Sequence, residues 1–254
     1  MSPPLFLVAA GELGGDQVVL SGPEGKHAAA VRRLRPGETV DLADGAGQRA
    51  RCTVSQVASD RTSVTFSPQE IWTDPHPQPV LTVIQALPKG EDAELAVELL
   101  TEAGVDRIVP WEAQRCVARW RAEGGRMDKA LRKWRTTARE SAKQSRRSRI
   151  PEVTELVRGH AVTDVLARAD LALVLDSAEG ADGVGVPVPL PTVTPPANGE
   201  VVVLVGPEGG FSPAEYQACA AVPAQPVRLG SAVLRSATAG FAALTLLQAG
   251  SGRW

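Results

Sequence analysis

Cysteine is scarce in this chain of 254 residues, which contains only Cys52, Cys116 and Cys219. Three thiols that lie so far apart form neither a metal-binding pattern nor a complete set of disulfides. We therefore expect no metal site and no disulfide-stapled fold. Cys52 and Cys219 lie among apolar residues, and we predict that both pack in a hydrophobic core.

Long hydrophobic runs are also lacking. No apolar stretch reaches the roughly 18 residues that a membrane-spanning helix needs, and the N-terminus has no signal-peptide pattern. The sequence therefore predicts a soluble, cytoplasmic protein without a membrane partner. Its 254 residues suffice for one large domain or two modest ones.

Net charge is small, at -2, so the overall charge predicts no particular partner. The charge is nevertheless uneven, because thirteen Lys and Arg but only three acidic residues lie between Arg115 and Arg149. Arginines continue beyond the predicted basic helix into 146–149, where pairing on a helix surface no longer explains them. We favour contact with RNA or DNA phosphate; a solvated helix face is the alternative.

A proline-rich stretch, 73–79, divides the chain. Its three closely spaced prolines disfavour both helix and central strand, so we predict an extended linker. Residues 1–72 are predicted to form a small β-barrel domain and residues 80–254 an α/β domain. The predicted elements of the first domain are strands at Leu5–Val8, Gln17–Leu20, Thr39–Leu42, Arg51–Val57 and Ser63–Phe66, a helix at His27–Leu34 and a hairpin turn at Asp44–Gly47.

In residues 80–254 the alternation of strands and helices predicts a parallel sheet. Strands are predicted at Leu81–Leu87, Arg107–Trp111, Leu171–Leu175 and Val201–Val205, with a last short strand at Val227. The main predicted helices are Glu91–Ala103, Met127–Ser145 and Ser236–Ala249. Residues 177–199 are rich in Gly, Pro and Ala and are predicted to be a long surface loop.

The most informative segment follows the predicted strand Val201–Val205. A glycine-rich loop, 206–210, leads into Ser212-Pro213-Ala214-Glu215, which has the pattern of a helix-capping box. In an open α/β sheet this order places the loop at the carboxyl end of a strand, where ligands bind. An ordinary tight turn is the alternative, and the glycine spacing matches neither a Walker loop nor a Gly-x-Gly-x-x-Gly fingerprint.

A second loop of the same kind, Leu229–Arg235, precedes the last predicted helix. Two such loops close together indicate a ligand site more strongly than either alone. The order of strand, loop and helix is also found in NAD- or nucleotide-binding enzymes, but the acidic residue expected there is missing.

Together, the two loops resemble the signature loops of the RsmE family, the small-subunit ribosomal RNA uridine-N3 methyltransferases of the SPOUT superfamily. The resemblance covers nearly the whole chain, with further matching segments at 27–37, 44–45, 89–90, 102–105, 115–116 and 144–151. Two positions depart from the family pattern. Ser236-Ala237-Thr238 follows Arg235 where the family usually has Thr-Glu-Thr, and Leu5 precedes Phe6 where Arg is common.

The resemblance implies an N-terminal PUA-like β-barrel and a C-terminal SPOUT α/β domain with a deep trefoil knot, a rare exception to unknotted topology. It also implies a homodimer that uses S-adenosyl-L-methionine, bound between three loops. The cofactor-binding positions that it implies here are Leu175, Val205, Gly206, Pro207, Glu208, Gly209, Gly210, Leu229, Gly230, Val233, Leu234 and Thr238.

Methylation of uridine N3 requires that charge developing on the base oxygens be stabilised. Arg235 is a catalytic candidate that would donate to such an oxygen; its alternative role is a salt bridge to Glu208. Glu208 would accept the N3 proton or, as we favour, organise the loops. The predicted contacts with 16S ribosomal RNA are His27, Arg32, Arg33, Arg35, Arg115, Lys143, Gln144, Arg146 and Arg147.

Two other functions would use the same features. Another SPOUT reaction, such as ribose 2′-O-methylation, shares the cofactor loops and differs in the nucleoside that it produces. A non-catalytic RNA-binding factor in ribosome assembly would use the barrel and the basic helix without the pocket. The intact glycines of both loops argue against that second function.

Overall fold

The computed structural model describes residues 3–176 and 185–254, and its contacts divide the chain into two compact units. The N-terminal unit comprises Met1–His76 together with Ala142–Ile150. The C-terminal unit comprises Pro77–Ser141 and Pro151–Trp254. None of the helices in the described ranges is long and apolar enough to cross a membrane.

The N-terminal unit is built on a curled five-stranded sheet in the form of a half-barrel. Its strands are β1 (Leu5–Leu7), β2 (Val18–Leu20), β3 (Thr39–Ala43), β4 (Gln48–Val57) and β5 (Val64–Thr73), in the order β1-β3-β4-β5-β2. Only the β1–β3 pair is parallel. Two register shifts between β4 and β5 mark irregularities of the kind that increase strand bending and twist.

Apolar side chains of this sheet form a buried core that includes Phe6, Leu42 and Phe66. Cys52 is fully buried among them, as predicted. Burial raises the pKa of its thiol to about 12, with a smaller contribution from the charge of Asp41. The thiol therefore acts as a small apolar side chain of the core.

The helix of this unit begins earlier than predicted. Helix α1 spans Gly22–Lys26 and continues into a π-helical turn at His27–Val31, so the predicted start at His27 was wrong. Pro23 lies at the first helical positions, where its fixed backbone angle favours the helix. The predicted hairpin turn is confirmed, because the Asp44 carboxylate accepts hydrogen bonds from the Ala46 and Gln48 amides at 2.7 and 3.0 Å.

The segment Ala142–Ile150 is joined to the N-terminal unit by backbone hydrogen bonds. Gly47 N donates to Ser148 O at 3.1 Å, and Ile150 N donates to Gly45 O at 2.9 Å. A Cβ at Gly45 would lie 2.6 Å from Ile150 Cδ1, so this approach depends on glycine. The domain bounds proposed above assign the segment to the second domain by its place in the chain.

The C-terminal unit is an α/β domain with a parallel sheet, as predicted. Its strands are β6 (Val80–Ala86), β7 (Arg107–Glu112), β8 (Glu152–Val153), β9 (Val157–Arg158), β10 (Leu171–Leu175), β11 (Val188–Pro189), β12 (Glu200–Val205) and β13 (Ala224–Arg228). They are ordered β11-β13-β10-β12-β6-β7-β8, and β9 also pairs with β7. The helices are α2 (Asp92–Glu102), α3 (Arg126–Gln144), α4 (Val162–Leu166), α5 (Pro213–Ala220) and α6 (Ser236–Gly250).

The three shortest strands, β8, β9 and β11, were not predicted. A strand of two residues is too short to show the alternating pattern by which strands are recognised. The predicted surface loop 177–199 was wrong where β11 lies, and the following Leu190 is buried. Residues 177–184 of that prediction lie outside the described residues.

The order of the central strands brings three loops to one edge of the sheet. Strand β10 lies between β12 and β13, and its last residue, Leu175, pairs with both Val205 and Val227. The three parallel strands therefore end side by side. Loops that follow such neighbouring strands meet at the carboxyl edge, where α/β proteins bind ligands.

Candidate active site

A pocket of about 380 Å³ opens at the carboxyl ends of β10, β12 and β13. Its volume lies in the range typical of small-molecule sites. Ten of the twelve residues predicted to bind the cofactor line it: Leu175, Val205, Gly206, Pro207, Glu208, Gly210, Leu229, Gly230, Val233 and Leu234. The glycine-rich loop and the second loop, Leu229–Arg235, thus line a single pocket.

The other two predicted residues, Gly209 and Thr238, do not line the pocket. Arg115 Nη1 donates to the Gly209 carbonyl oxygen at 3.2 Å. A Cβ at Gly209 would lie only 3.1 Å from the Arg115 Cβ, so glycine permits this close approach. Thr238 Oγ1 donates to the Arg235 carbonyl oxygen at 3.2 Å in the first turn of α6. Both residues therefore support the loops.

The structure places several unpredicted side chains in the pocket wall. The Tyr216 hydroxyl donates to Asp176 Oδ1 at 3.0 Å, and both residues line the pocket. Phe211 stacks on Trp111 with ring centroids 5.8 Å apart, and its ring lies 5.3 Å from that of Tyr216. The other unpredicted lining residues are Val227, Arg228, Ala232, Ser236 and Ala239. The sequence signal for Asp176 was its position directly after a buried strand.

The predicted capping box is confirmed and fixes the start of α5 beside the pocket. Ser212 N donates to Glu215 Oε2 at 2.8 Å, and Glu215 N donates to Ser212 Oγ at 3.3 Å. The second Glu215 oxygen accepts from Gln114 N at 2.7 Å, which ties α5 to the end of β7.

On the same helix, burial raises the pKa of the Cys219 thiol to about 11, and the Glu215 charge adds to the shift.

The two catalytic candidates both line the pocket and are exposed. Glu208 Oε1 lies 3.5 Å from the Lys89 amide nitrogen, a long hydrogen bond. No ion pair joins Arg235 to Glu208 in the described part of the chain, so the salt bridge considered above is absent. The Arg235 guanidinium has no carboxylate partner among those residues and is available to a ligand.

Four of the predicted RNA contacts lie in the first part of the N-terminal unit. Arg32, Arg33 and Arg35 are exposed, while His27 is half-buried with its ring 6.1 Å from that of Phe6. Arg33 and Arg35 line a groove of about 700 Å³ together with Arg61, from the β4–β5 turn, which was not predicted. This basic groove has no carboxylate in its lining.

The remaining predicted RNA contacts differ in accessibility. Gln144 and Arg146 are exposed, Arg147 is half-buried, and Arg115 is held at Gly209. Lys143 is buried, and its Nζ forms an ion pair with Glu24 Oε1 at 2.7 Å. Its ammonium therefore has a structural partner, and removing it would leave the half-buried Glu24 carboxylate without compensation.

Comparisons with known proteins agree with this architecture. The family model for an RNA methyltransferase domain matches residues 74–248, and that for an RNA methyltransferase PUA domain matches residues 20–67. Ribosomal RNA small subunit methyltransferase E of Mycobacterium tuberculosis is 41% identical over 245 residues, which cover 94% of this chain and 89% of the relative. The protein of the same name from Bacillus subtilis is 26% identical over 90% of this chain and 88% of its own length.

Solved structures show the same fold. A Legionella pneumophila protein in complex with the bound cofactor SAM aligns with a TM-score of 0.81 and 26% identity, over 98% of each chain. Ribosomal RNA small subunit methyltransferase E from Neisseria gonorrhoeae, bound to S-adenosyl methionine, aligns with a TM-score of 0.81 and 23% identity, over 97% of each chain.

The fold and the pocket define an RNA methyltransferase with an N-terminal PUA domain. The chain belongs to the ribosomal RNA small subunit methyltransferase E family, the RsmE family. The family, fold class and enzyme class predicted from the sequence are confirmed.

Proposed function

We propose that this protein methylates N3 of a uridine in 16S ribosomal RNA, with S-adenosyl-L-methionine as the methyl donor. The proposal rests on the pocket that the loops 206–210 and 229–235 line, with Arg235 in its wall. Relatives that are 41% identical and named ribosomal RNA small subunit methyltransferase E support it.

The polar and apolar groups that line the pocket fit S-adenosylmethionine. The Asp176 carboxylate can accept hydrogen bonds from the hydroxyl or ammonium groups of such a ligand, while Phe211, Tyr216 and Leu229 offer apolar surface. Gly206 has no room for a side chain, since a Cβ would lie 3.0 Å from the Phe211 ring. When bound, S-adenosylmethionine supplies an electrophilic methyl group on a sulfonium.

We assign Arg235 to the base rather than to the loops. Uridine N3 passes its proton to solvent water as it attacks the methyl group, and negative charge develops on O2 and O4 until the new N–CH3 bond neutralises it. A guanidinium that has no carboxylate partner can donate two hydrogen bonds to such oxygens. Glu208 is assigned to loop organisation, because its carboxylate lies within reach of the Lys89 amide.

We propose RNA contacts on each unit separately. On the N-terminal unit they include Arg32 and the basic groove of Arg33, Arg35 and Arg61, whose guanidiniums attract phosphate. On the C-terminal unit we propose Arg115 as a contact. We leave out Lys143 of the N-terminal unit, because its ammonium is buried against Glu24. The target uridine must be unpaired or flipped, since N3 lies on the Watson–Crick edge.

We further propose a cytoplasmic homodimer in which the C-terminal domain is knotted as a trefoil. Helix α6 supports dimerisation, because it carries no charged residue and yet leaves Leu246 exposed. A helix that is apolar on all sides is normally buried.

The proposal is tested by transfer of labelled methyl from S-adenosylmethionine to small ribosomal subunits that lack the modification, followed by nucleoside analysis. We expect 3-methyluridine as the product. A 2′-O-methylated nucleoside would instead indicate another SPOUT reaction. Absence of both transfer and cofactor binding would contradict the proposal and favour an assembly factor.

A further inference from the structure

Gln85 is a polar side chain inside the sheet of the C-terminal unit. It lies near the carboxyl end of β6, in register with Val205 of β12, and is completely buried. It is not among the residues that line the pocket. Any effect of Gln85 on a ligand must therefore pass through other residues.

The Gln85 amide can adopt only one orientation. Its Nε2 donates to the Ala86 carbonyl oxygen and to Ser236 Oγ, both at 3.0 Å. A carbonyl oxygen only accepts hydrogens, so the amide nitrogen and not the amide oxygen must face Ala86. Ser236 Oγ in turn donates its own hydrogen to the Gly206 carbonyl oxygen at 2.8 Å. A directed relay thus runs from Gln85 through Ser236 to Gly206.

This relay joins the two loops of the pocket. Gly206 begins the first loop, and Ser236 directly follows Arg235 at the end of the second. Within the described ranges, residues 230–234 make no hydrogen bond, so the second loop is held only at its ends. The Ser236 hydroxyl fixes the end that carries Arg235.

The same side chain carries a cost in stability. Gln85 Oε1 is buried and has no hydrogen-bond partner in the described structure. A buried acceptor without a partner destabilises the fold, and an apolar residue of similar size would avoid this. A buried polar side chain with such a cost fits a role in the geometry of the site.

We propose that Gln85 is a positioning residue for the methyl-transfer site. Through Ser236 it holds the Gly206 carbonyl and the Arg235 backbone in the arrangement that binds the methyl donor. The proposal rests on the proposed function and adds to it a residue outside the pocket.

Gln85→Leu tests this, and the chain offers a matched control in Gln248→Leu. Gln248 is also buried, donates from Nε2 to a backbone carbonyl oxygen, that of Ala103, and has a buried Oε1 without a partner. It does not line the pocket. The two variants therefore lose the same kind of group, and only one of them breaks the relay.

Two measurements on the full-length chain are compared. Calorimetry with S-adenosylmethionine should show binding about tenfold weaker for Gln85→Leu, the effect of losing one hydrogen bond, with Gln248→Leu unchanged. Hydrogen exchange of the free protein should be faster at 206–210 and in the first turn of α6 for Gln85→Leu alone. Binding by the unmodified protein separately tests the proposed function.

Two results would overturn the proposal. One is wild-type affinity and exchange in Gln85→Leu, and the other is equal weakening in both variants, which would indicate general destabilisation. If Gln85→Leu fails to fold, Ser236→Ala breaks the same relay at its middle. We expect weaker binding in Ser236→Ala and recovery in Ser236→Thr, which keeps the hydroxyl; equal binding in these two variants would also overturn the proposal.

Discussion

At the scale of single residues, Arg235 is the side chain whose removal should affect the chemistry most. Arg235→Ala should lower kcat by about 100-fold or more, the usual effect of losing a donor to a developing oxyanion. Cofactor affinity should change little if the guanidinium acts on the base. Calorimetry and single-turnover methyl transfer measure the two quantities separately.

The control for this variant is Arg168→Ala, an exposed arginine that precedes β10 and so lies at the opposite edge of the sheet. It should leave turnover unchanged. Full turnover with normal cofactor binding in Arg235→Ala would contradict the catalytic assignment.

Glu208 has two candidate roles, as the acceptor of the N3 proton or as the organiser of the loops, and one substitution distinguishes them. Glu208→Gln removes the capacity to accept a proton but keeps an oxygen that can accept from the Lys89 amide. We therefore expect Glu208→Gln to keep its turnover within a few-fold of the unmodified protein. Glu208→Ala should bind the cofactor more weakly. A loss of turnover in Glu208→Gln with normal cofactor affinity would show instead that the carboxylate is the base.

Local sequence patterns were enough to predict much of the pocket, but they could not predict its long-range contacts. The glycine loops and the Ser212–Glu215 capping box are recognisable because their residues are adjacent in the chain. The Tyr216–Asp176 hydrogen bond joins residues 40 positions apart, and the Gln85–Ser236 bond spans 151 positions. Only the strand order of the sheet brings such residues together.

At the scale of elements, α3 carries a stripe of basic residues that should bind RNA. Lys129, Arg132 and Arg139 follow helical spacing and have no carboxylate partner in the described structure, whereas Lys133 pairs with Glu94 at 2.7 Å. The logarithm of the RNA-binding constant falls linearly with the logarithm of salt concentration. Replacing all three residues by Ala should make this slope less steep by about 2, at roughly 0.7 per lost phosphate contact with single-stranded RNA.

Filter binding of ribosomal RNA fragments over a range of salt concentrations measures this slope. Lys133→Ala, combined with Glu94→Ala to conserve net charge, serves as the control and should leave it unchanged. An unaltered slope in the triple variant would show that the stripe is a solvated face, the alternative considered from the sequence.

The longer elements of the C-terminal unit were predicted to within one or two residues. In the N-terminal unit the predicted strand Ser63–Phe66 was wrong at its end, because β5 continues to Thr73. Strand β10 occurs as predicted, and α3 spans Arg126–Gln144 against a predicted Met127–Ser145. Both are long or apolar enough to show a periodic pattern. Strands β8, β9 and β11 exist only because a neighbouring strand pairs with them, and no local pattern encodes that partner.

At the scale of the whole molecule, the chain order does not coincide with the contact units. The segment Ala142–Ile150 contains the end of α3, a helix that begins in the C-terminal unit, yet Ser148 and Ile150 form backbone hydrogen bonds with the turn at 45–47. The close approach of Ile150 to Gly45 shows why composition could not reveal this: the fit depends on a missing Cβ in a remote segment.

Dimerisation provides the last prediction. Helix α6 packs on α2, and each leaves a leucine in part exposed, Leu246 by 37% and Leu95 by 38%.

Leu246→Asp would bury a charge if this surface is an interface, so we expect a shift from a dimer of 26.7 kDa subunits to monomer, together with reduced methyl transfer. Light scattering measures the mass. Val19→Asp, at an apolar site of the N-terminal unit that is exposed by 56%, should remain dimeric. A monomeric unmodified protein, or a dimeric Leu246→Asp with full activity, would contradict this interface.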